Sequence, residues 1–271
     1  MSALVNGKTT ICVVNYKTLD FTRLCLRSIR KFTKSPYEVL VIDNDSADDS
    51  LSYLKKLEWI RLIERKDNND SSGGVAHASA LQLGLNNCNT EFFISMHSDA
   101  FVHKDNWLAD LINYFNSDEN VACVGSGKIE LTPPWQITLK KITDYKTFKR
   151  KLLRTPDPFG HFRYYNRTVC CIYRTDILRR ENLTFTMGQE KGITAGKKLY
   201  FELVDRSYKT VELPDSLMKQ YVIHLAHATQ VVNPNEFALG GKTVRKCRRL
   251  VKKIMSDEVI KSVIEDESLD Q

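Results

Sequence analysis

Apolar runs and helix-spaced apolar residues alternate along the first half of the chain. Residues 9–14 form a β-branched apolar run that predicts a buried strand, and the apolar spacing over residues 18–32 predicts a helix after it. Because each right-handed crossover lays a helix on one face of a parallel sheet, this order predicts an α/β fold with a mainly parallel central sheet flanked by helices. The remaining expected strands and helices of this half lie at 37–42, 48–57, 60–64, 75–85, around Phe92, around Trp107 and at 121–124.

The pattern changes after residue 125. Residues 126–160 carry prolines and a basic cluster, which favours a mobile segment at about 130–160 above a site rather than core structure. Spaced apolar residues among basic ones at 236–264 predict an amphipathic helix or helix pair as a basic tail. Between them, regular patterns predict a strand at 168–173, a helix behind Thr175, a helix from 194 or 195 to about 207, and a final strand at 209–213.

The chain of 271 residues is 42% hydrophobic, which is enough for a globular core. We expect a cytoplasmic protein, because residues 1–10 hold no apolar signal segment and no stretch approaches the roughly 18 apolar residues that cross a bilayer. Seven cysteines without a CxxC pair are expected to be free thiols. The net charge of +7 includes two basic clusters, at 140–154 and 242–253, which attract the phosphates of a nucleotide, a lipid head group, an anionic glycan or a nucleic acid.

A polar step follows the apolar run that starts at Phe92. The run stops at His97, Ser98 and Asp99, and the chain then turns apolar again. An acid at this place lies at the carboxyl edge of the sheet, where open α/β sheets bind ligands. A lone carboxylate there can hold a divalent cation together with the phosphate oxygens of a nucleotide. The alternative is that Asp99 only ends a strand or caps the next helix.

Four segments, in this order, carry a family resemblance: residues 10–16, residues 39–46, Gly73 to Ala76 and the step from His97 to Asp99. Together they resemble the nucleotide-sugar half of a family 2 glycosyltransferase with the A-type fold, over about residues 9–125 and more loosely over 168–229. The resemblance implies transfer of a sugar, with inversion at the anomeric carbon, to a glycan or lipid-linked acceptor, as in surface polysaccharide synthesis. The implied donor is a nucleoside-diphosphate sugar, with a UDP-sugar favoured.

The resemblance divides the chain into three expected parts. Residues 1–125 would be the nucleotide-sugar-binding half, residues 126–235 the acceptor-side half with its mobile segment, and residues 236–271 the basic helical tail. Asp99 would bind a divalent metal, Mn²⁺ or Mg²⁺, completed by His224 or His227 from the later part of the chain. Residues implied at the nucleotide are Asn15, Tyr16, Asp43, Asn44, Ser46, Gly73, Gly74, His97 and Ser98.

The general base and the metal site both depart from the family pattern. The family's acid usually precedes the helix that begins here near Ala195, so Glu190, the nearest acid upstream, is the candidate base, with Asp157 in reserve. The family usually has an acid two positions before Asp99, where this chain has His97. A neutral imidazole can ligate Mn²⁺ or donate to phosphate, but it adds no negative charge to attract Mg²⁺.

Two other functions remain open. A sugar nucleotidyltransferase would need a glycine-rich loop with a basic residue directly after the first strand, and residues 15–18 are not one. A non-catalytic nucleic-acid-binding protein would use the basic clusters and keep the sheet as a scaffold, but no aromatic-and-basic motif supports it and no nucleic acid partner is expected. The second basic cluster could also hold the protein peripherally at the inner face of an anionic membrane.

Overall fold

The structure is a computed structural model that describes residues 5–66, 70, 72–127, 165–187, 193–225, 228–234, 236 and 240–271. The strands are β1 Val5–Asn15, β2 Tyr37–Asp43, β3 Ile60–Glu64, β4 Thr90–His97, β5 Ala100–Val102, β6 Val121–Ser126, β7 Cys170–Arg174, β8 Lys209–Leu213 and β9 Val222–His224. The helices are α1 Leu19–Phe32, α2 Asp49–Leu54, α3 Gly73–Asn86, α4 Trp107–Asn116, α5 Thr175–Arg180, α6 Ala195–Asp205, α7 Asp215–Met218, α8 Ala228–Val232, α9 Gly241–Met255 and α10 Glu258–Glu265, followed by a short 3₁₀ turn, Glu267–Asp270.

A seven-stranded sheet in the order β3-β2-β1-β4-β7-β6-β8 forms the centre of the molecule. Strands β1 to β4 are parallel, β7 runs antiparallel to both β4 and β6, and β8 is parallel to β6. The expectation of an α/β fold with a mainly parallel sheet is confirmed. The pairing of Asn15 with Asp43 and of Val14 with His97 places the carboxyl ends of β1, β2 and β4 at one edge.

Helices cover both faces of this sheet because alternate residues of each strand point to opposite sides. Ile11 and Val13 pack on one face among residues of α1, α2 and α4. Cys12 and Val14 pack on the other face among residues of α3, α5 and α6. At the closest approach of α3 to β1, Gly84 leaves room for Cys12, because a Cβ at Gly84 would overlap the Cys12 sulfur.

The later helices close a third apolar cluster. Ile254 of α9 and Ile260 of α10 are buried with Leu24 of α1, Phe101 of β5 and Leu225. The prediction of an amphipathic helix or helix pair in this region is confirmed as a pair. None of the described helices is both long enough and apolar enough to cross a bilayer.

The structure corrects three details of the expected elements. The strand at Lys209–Leu213 is not the last, because β9 follows and pairs antiparallel with β5. Strands of three residues are too short to show a period, so neither β5 nor β9 was predicted. Helix α3 begins at Gly73, two residues before the predicted start, because the Ser72 hydroxyl accepts a hydrogen bond from the Val75 N–H. Helix α2 ends at Leu54, earlier than predicted. The predicted mobile segment at 130–160 lies outside the described residues.

Candidate active site

A cavity of about 800 Å³ opens at the carboxyl edge of the sheet. Its walls come from the ends of β1 and β4, the first turn of α3, the segment before β7, the start of α6 and the segment around β9 and α8. This is the place where open α/β sheets bind ligands, because the loops that leave the strands diverge there.

The two-stranded β5–β9 sheet builds the floor of this cavity. β4 ends at His97, the chain turns through Ser98 and Asp99, and β5 then pairs Ala100 with His224. The Leu225 N–H donates to the Asp99 carbonyl at 3.0 Å, which continues the pairing past the end of β5. The backbone pairing therefore fixes His224 beside Asp99, although the two residues are far apart in the chain.

His97, Asp99 and His224 form a compact group of potential metal ligands. One ligand atom from each residue lies within 4.8 Å of the other two. Asp99 Oδ1 is 3.3 Å from His224 Nε2 and 3.7 Å from His97 Nδ1. Asp99 and His224 are buried, whereas the His97 side chain is 30% exposed and faces the cavity. Two imidazoles and one carboxylate form a donor set for a divalent transition metal, and the imidazole nitrogens favour Mn²⁺ over Mg²⁺.

The protonation states of this group also suit metal binding. Burial alone would raise the pKa of Asp99, but the neighbouring His224, His97 and the Ala228 N–H hold that pKa well below its usual range. Burial, and then the neighbouring His77, lower the pKa of His97 to about 3 against the opposite effect of Asp99. At neutral pH Asp99 is therefore a carboxylate and His97 a neutral imidazole, which are the forms that ligate metals.

His77, on the first turns of α3, is a further cavity residue that the sequence did not single out. Its ring centroid is 4.7 Å from that of His97, in an edge-to-face arrangement. His77 Nε2 is buried and has no hydrogen-bond partner in the described part of the chain. Burial lowers the pKa of His77 to about 4. His77 lies four residues, about one helical turn, after Gly73. This spacing could have predicted that the two residues share one face of α3.

Arg167 is the one lysine or arginine among the described residues that line the cavity. Its guanidinium lies over the Tyr165 ring, 5.1 Å from the centroid, and its Nε has no hydrogen-bond partner within the described ranges. β7 begins opposite the end of β4, with Cys170 paired to Met96, so residues just before β7 meet the same edge as His97. The sequence pattern gave no direction for β7, and Arg167 was therefore missed.

The residues predicted to bind nucleotide divide into two groups. Asn15, Asp43 and Ser46 do not line the cavity, because their side chains are buried in hydrogen bonds to one another. Asn15 Nδ2 donates to Asp43 Oδ1 at 2.7 Å and to Ser46 Oγ at 3.0 Å, and the Ser46 N–H donates to Asp43 Oδ2 at 3.1 Å. Their role at a nucleotide stays a prediction. The other residues predicted to bind nucleotide do line the cavity: Tyr16, Asn44, Gly73, Gly74, His97 and Ser98.

The first turn of α3 presents two glycines to the cavity, and the first N–H groups of a helix have no acceptor within the helix itself. Such a helix N-terminus favours an anionic group. Among the described residues, a Cβ built at Gly74 would meet only Met187 Cε at 3.8 Å and Ser72 Oγ at 3.9 Å, which are ordinary contacts. The described part of the protein therefore leaves room for a side chain at Gly74, and the absence of one widens the cavity.

Three predicted residues lie outside the described residues: the candidate bases Glu190 and Asp157, and the second candidate histidine, His227. Of the two histidines offered for the metal, the structure describes His224, which lies in the group with Asp99. The assignment of a general base stays a prediction from the sequence.

Comparisons with known proteins agree with this geometry. The family model described as "Glycosyl transferase family 2" matches residues 10–172. An uncharacterized glycosyltransferase of Haemophilus influenzae is 23% identical over 249 residues, which cover 89% of this chain and 72% of that protein. A mannosyltransferase from Pyrobaculum calidifontis, solved in complex with GDP-Man and Mn²⁺, superposes with a TM-score of 0.56 at 14% identity, over 94% of this chain and 73% of that one.

A second solved structure has a similar fold. Residues 1–349 of S. aureus TarS, in complex with UDP-GlcNAc, superpose with a TM-score of 0.53 at 15% identity, over 93% of this chain and 67% of that one. At these identities the superpositions establish the fold, and the family model, which spans more than half of the chain, establishes the family. This chain belongs to glycosyl transferase family 2 and has the A-type glycosyltransferase fold.

Proposed function

We propose that the protein transfers a sugar from a nucleoside-diphosphate sugar to an acceptor hydroxyl, with a divalent metal held by His97, Asp99 and His224. The observation that carries the proposal is the grouping of these three side chains on the floor of a cavity at the carboxyl edge of the sheet. Membership of glycosyl transferase family 2 supplies the reaction class. UDP is the favoured nucleotide, and the solved relatives were crystallised with GDP-Man and UDP-GlcNAc.

The cavity is suited to a diphosphate leaving group. A metal bound by the three ligands would supply positive charge that neutralises the diphosphate oxygens as they leave. Arg167 offers a second positive charge in the same cavity, and the α3 N-terminus offers backbone donors. Asp99 keeps its negative charge at neutral pH, so it can hold a metal without first losing a proton.

The chemistry is a single displacement at the anomeric carbon. The acceptor oxygen forms the new bond to that carbon while the bond to the diphosphate oxygen breaks, and the electron pair leaves with the diphosphate. The hydroxyl proton passes to a carboxylate base, for which Glu190 and Asp157 are the candidates. Attack from the face opposite the leaving group inverts the configuration. The acceptor is a glycan or a lipid-linked molecule, as in surface polysaccharide synthesis.

Nucleotide and metal binding can be tested by thermal unfolding, because a ligand that binds only the folded state raises the melting temperature. We expect UDP or GDP to raise it in the presence of Mn²⁺ and much less without it. Asp99→Ala should abolish the Mn²⁺-dependent rise. Asp105→Ala is the matched control, because Asp105 is an exposed acid that does not line the cavity.

Turnover is the second readout. The nucleotide sugar that gives the largest rise in melting temperature should release its nucleoside diphosphate in the presence of Mn²⁺, with the wild type and the Asp105→Ala variant alike. The proposal is wrong if no nucleoside diphosphate changes the melting temperature, or if Asp99→Ala responds as the wild type does.

A further inference from the structure

Helix α9 carries an exposed face of positive charge. It contains no aspartate or glutamate between Gly241 and Met255. None of the lysines and arginines whose side chains are described on this helix makes an ion pair with another described residue, whereas Lys261 on the next helix pairs with Glu258 at 3.0 Å. The exposed cations of this face, here called the basic face, are Arg245, Lys246, Arg248, Arg249, Lys252 and Lys253.

The opposite face of α9 is fixed to the protein. Ile254 is buried in the third apolar cluster with Leu24 of α1 and Phe101 of β5, and Cys247 on the same side of the helix is also buried. Because this apolar face is already covered, α9 cannot insert it into another partner. The basic face is therefore held outward on a rigid support, as a surface for contact rather than for insertion.

We propose that the basic face docks the protein on an anionic phospholipid surface. Clusters of four to eight lysines and arginines on an amphipathic helix are typical of sites that bind anionic lipid head groups. Each helix next to α9 also carries an exposed apolar side chain: Val232 on α8 is 47% exposed and Val259 on α10 is 52% exposed. Both of these helices pack against α9. Apolar side chains beside a basic face suit a head-group boundary.

A nucleic acid is less suited to this surface. Sequence-tolerant binding of single strands uses aromatic side chains on which bases stack, and α9 has no aromatic residue. The charge alone would allow weak, salt-sensitive binding to a phosphate backbone, so nucleic acid is included below as an outcome of the experiment.

The helix that carries the basic face lies next to the candidate active site. Thr229 on α8 lines the cavity, and α8 packs against α9. The Cys247 thiol on α9 donates to the Leu225 carbonyl at 3.6 Å, directly after the candidate ligand His224. A membrane that contacts α9 would therefore lie beside the cavity. This inference rests on the proposed function. It assigns the acceptor to the lipid-linked class, with its hydroxyl presented at the membrane surface.

Vesicle flotation of the full chain tests the docking. The vesicles contain phosphatidylcholine alone, or equal parts of phosphatidylcholine and phosphatidylglycerol. We expect binding only to the anionic vesicles and release by salt, because salt screens exposed charges. Each lysine or arginine near an anionic membrane contributes about 1 kcal/mol to binding. The triple variant Arg248→Gln/Arg249→Gln/Lys252→Gln should therefore bind about 100-fold more weakly.

A control variant separates this surface from net charge. Lys56→Gln/Lys104→Gln/Arg206→Gln removes the same charge from exposed residues elsewhere and should bind vesicles as the wild type does. The docking is wrong if the wild type ignores anionic vesicles, if the two triple variants bind alike, or if duplex DNA at the same salt competes the protein off the vesicles. Thermal unfolding with UDP or GDP and Mn²⁺ is measured on the same proteins, so loss of docking with nucleotide binding intact leaves the proposed transferase function standing.

Discussion

Two buried polar clusters lie at the same edge of the sheet, and they differ in whether their hydrogen bonds are complete. The loop cluster consists of Asn15, Asp43, Ser46 and Ser50. The histidine cluster consists of His77, His97, Asp99 and His224. In the loop cluster the members pair with one another. In the histidine cluster two ring nitrogens, His77 Nε2 and His224 Nδ1, are buried without a partner among the described residues.

The difference separates a structural role from a binding role. Burying a polar atom without a hydrogen bond costs free energy. Such atoms are therefore retained mainly where they serve a function, such as binding a ligand. The loop cluster holds the end of β1 to the turn after β2, and its interactions stabilise the protein without a ligand. The histidine cluster leaves two ring nitrogens without a partner among the described residues, and the ligand atoms of His97, Asp99 and His224 lie close enough together to bind one cation.

The largest expected effect is on stability, from Asn15→Leu in the loop cluster. This variant removes the donor of three hydrogen bonds and leaves the buried Asp43 carboxylate short of a partner. Losing a partner of a buried charged group costs roughly 3 kcal/mol, which we expect as the decrease in the free energy of unfolding. Urea denaturation measures it. Asn116→Leu, on an exposed helix position, is the control and should change stability by less than about 0.5 kcal/mol.

Two aspartate variants, one in each cluster, should change different quantities: one the affinity for Mn²⁺ and the other the stability of the fold. Asp99→Asn keeps the shape of the side chain and should weaken Mn²⁺ binding by about 100-fold, the upper range for groups around a metal. Its stability should stay within about 1 kcal/mol of the wild type, since the variant also removes a buried charge. Asp43→Asn should lower stability, because its new amide faces the Asn15 amide, and should leave Mn²⁺ affinity unchanged. Mn²⁺ paramagnetic resonance and urea denaturation measure the two quantities.

The opposite result would remove the distinction between the clusters. If Asp43→Asn lost Mn²⁺ affinity while Asp99→Asn kept it, the loop cluster would be the ligand site. If both variants lost stability equally and neither lost affinity, both clusters would be structural.

Much of the fold follows from local sequence patterns. Strands β1, β2 and β4 contain apolar runs, and helices α1 and α2 carry apolar residues at helical spacing. These elements could therefore be predicted from the sequence, and their alternation predicts the parallel arrangement. Strand β7 was expected, but its antiparallel insertion between β4 and β6 depends on long-range pairing that no local pattern contains. For the same reason the three-residue strands β5 and β9 were not predicted.

The candidate site was predictable where it sits at a strand end. Asp99 follows a long apolar strand, so its position at the carboxyl edge could be derived from sequence. Asp43 also follows a strand, but sequence spacing does not show that its carboxylate is occupied by Asn15. His77 and Arg167 reach the cavity from a helix and from the segment before β7, so only the assembled sheet brings them there.

A smaller effect is expected on the choice of metal, from His97→Asp. The wild-type group has one negative charge and two imidazoles, which suits Mn²⁺ better than Mg²⁺. A second carboxylate adds charge and a hard oxygen ligand, so the ratio of Mn²⁺ to Mg²⁺ affinity should fall about tenfold. Competition of Mg²⁺ against bound Mn²⁺, followed by paramagnetic resonance, measures the ratio.

His103→Asp is the control for this change, because the His103 ring faces the Lys219 carbonyl at 3.0 Å and does not line the cavity. An unchanged ratio in His97→Asp, with the protein folded, would mean that His97 does not contact the metal. The described metal ligands would then reduce to Asp99 and His224.

The smallest effect is expected from Gly74→Ala, at the mouth of α3. The added methyl group meets only ordinary contacts in the protein, so the free energy of unfolding should be unchanged or raised by about 0.5–1 kcal/mol. The methyl group instead occupies space in the cavity beside the helix N-terminus, and UDP or GDP affinity should fall about fivefold, roughly 1 kcal/mol. Isothermal titration measures the affinity.

Gly241→Ala is the matched control for this last variant. Gly241 also lies at the start of a helix, has no atom within 4 Å of a Cβ placed on it, and is outside the cavity. It should gain the same small stability and keep the affinity of the wild type. Equal affinities for Gly74→Ala and Gly241→Ala would mean that the nucleotide does not approach the α3 backbone, and binding would then depend on the histidine cluster and on Arg167.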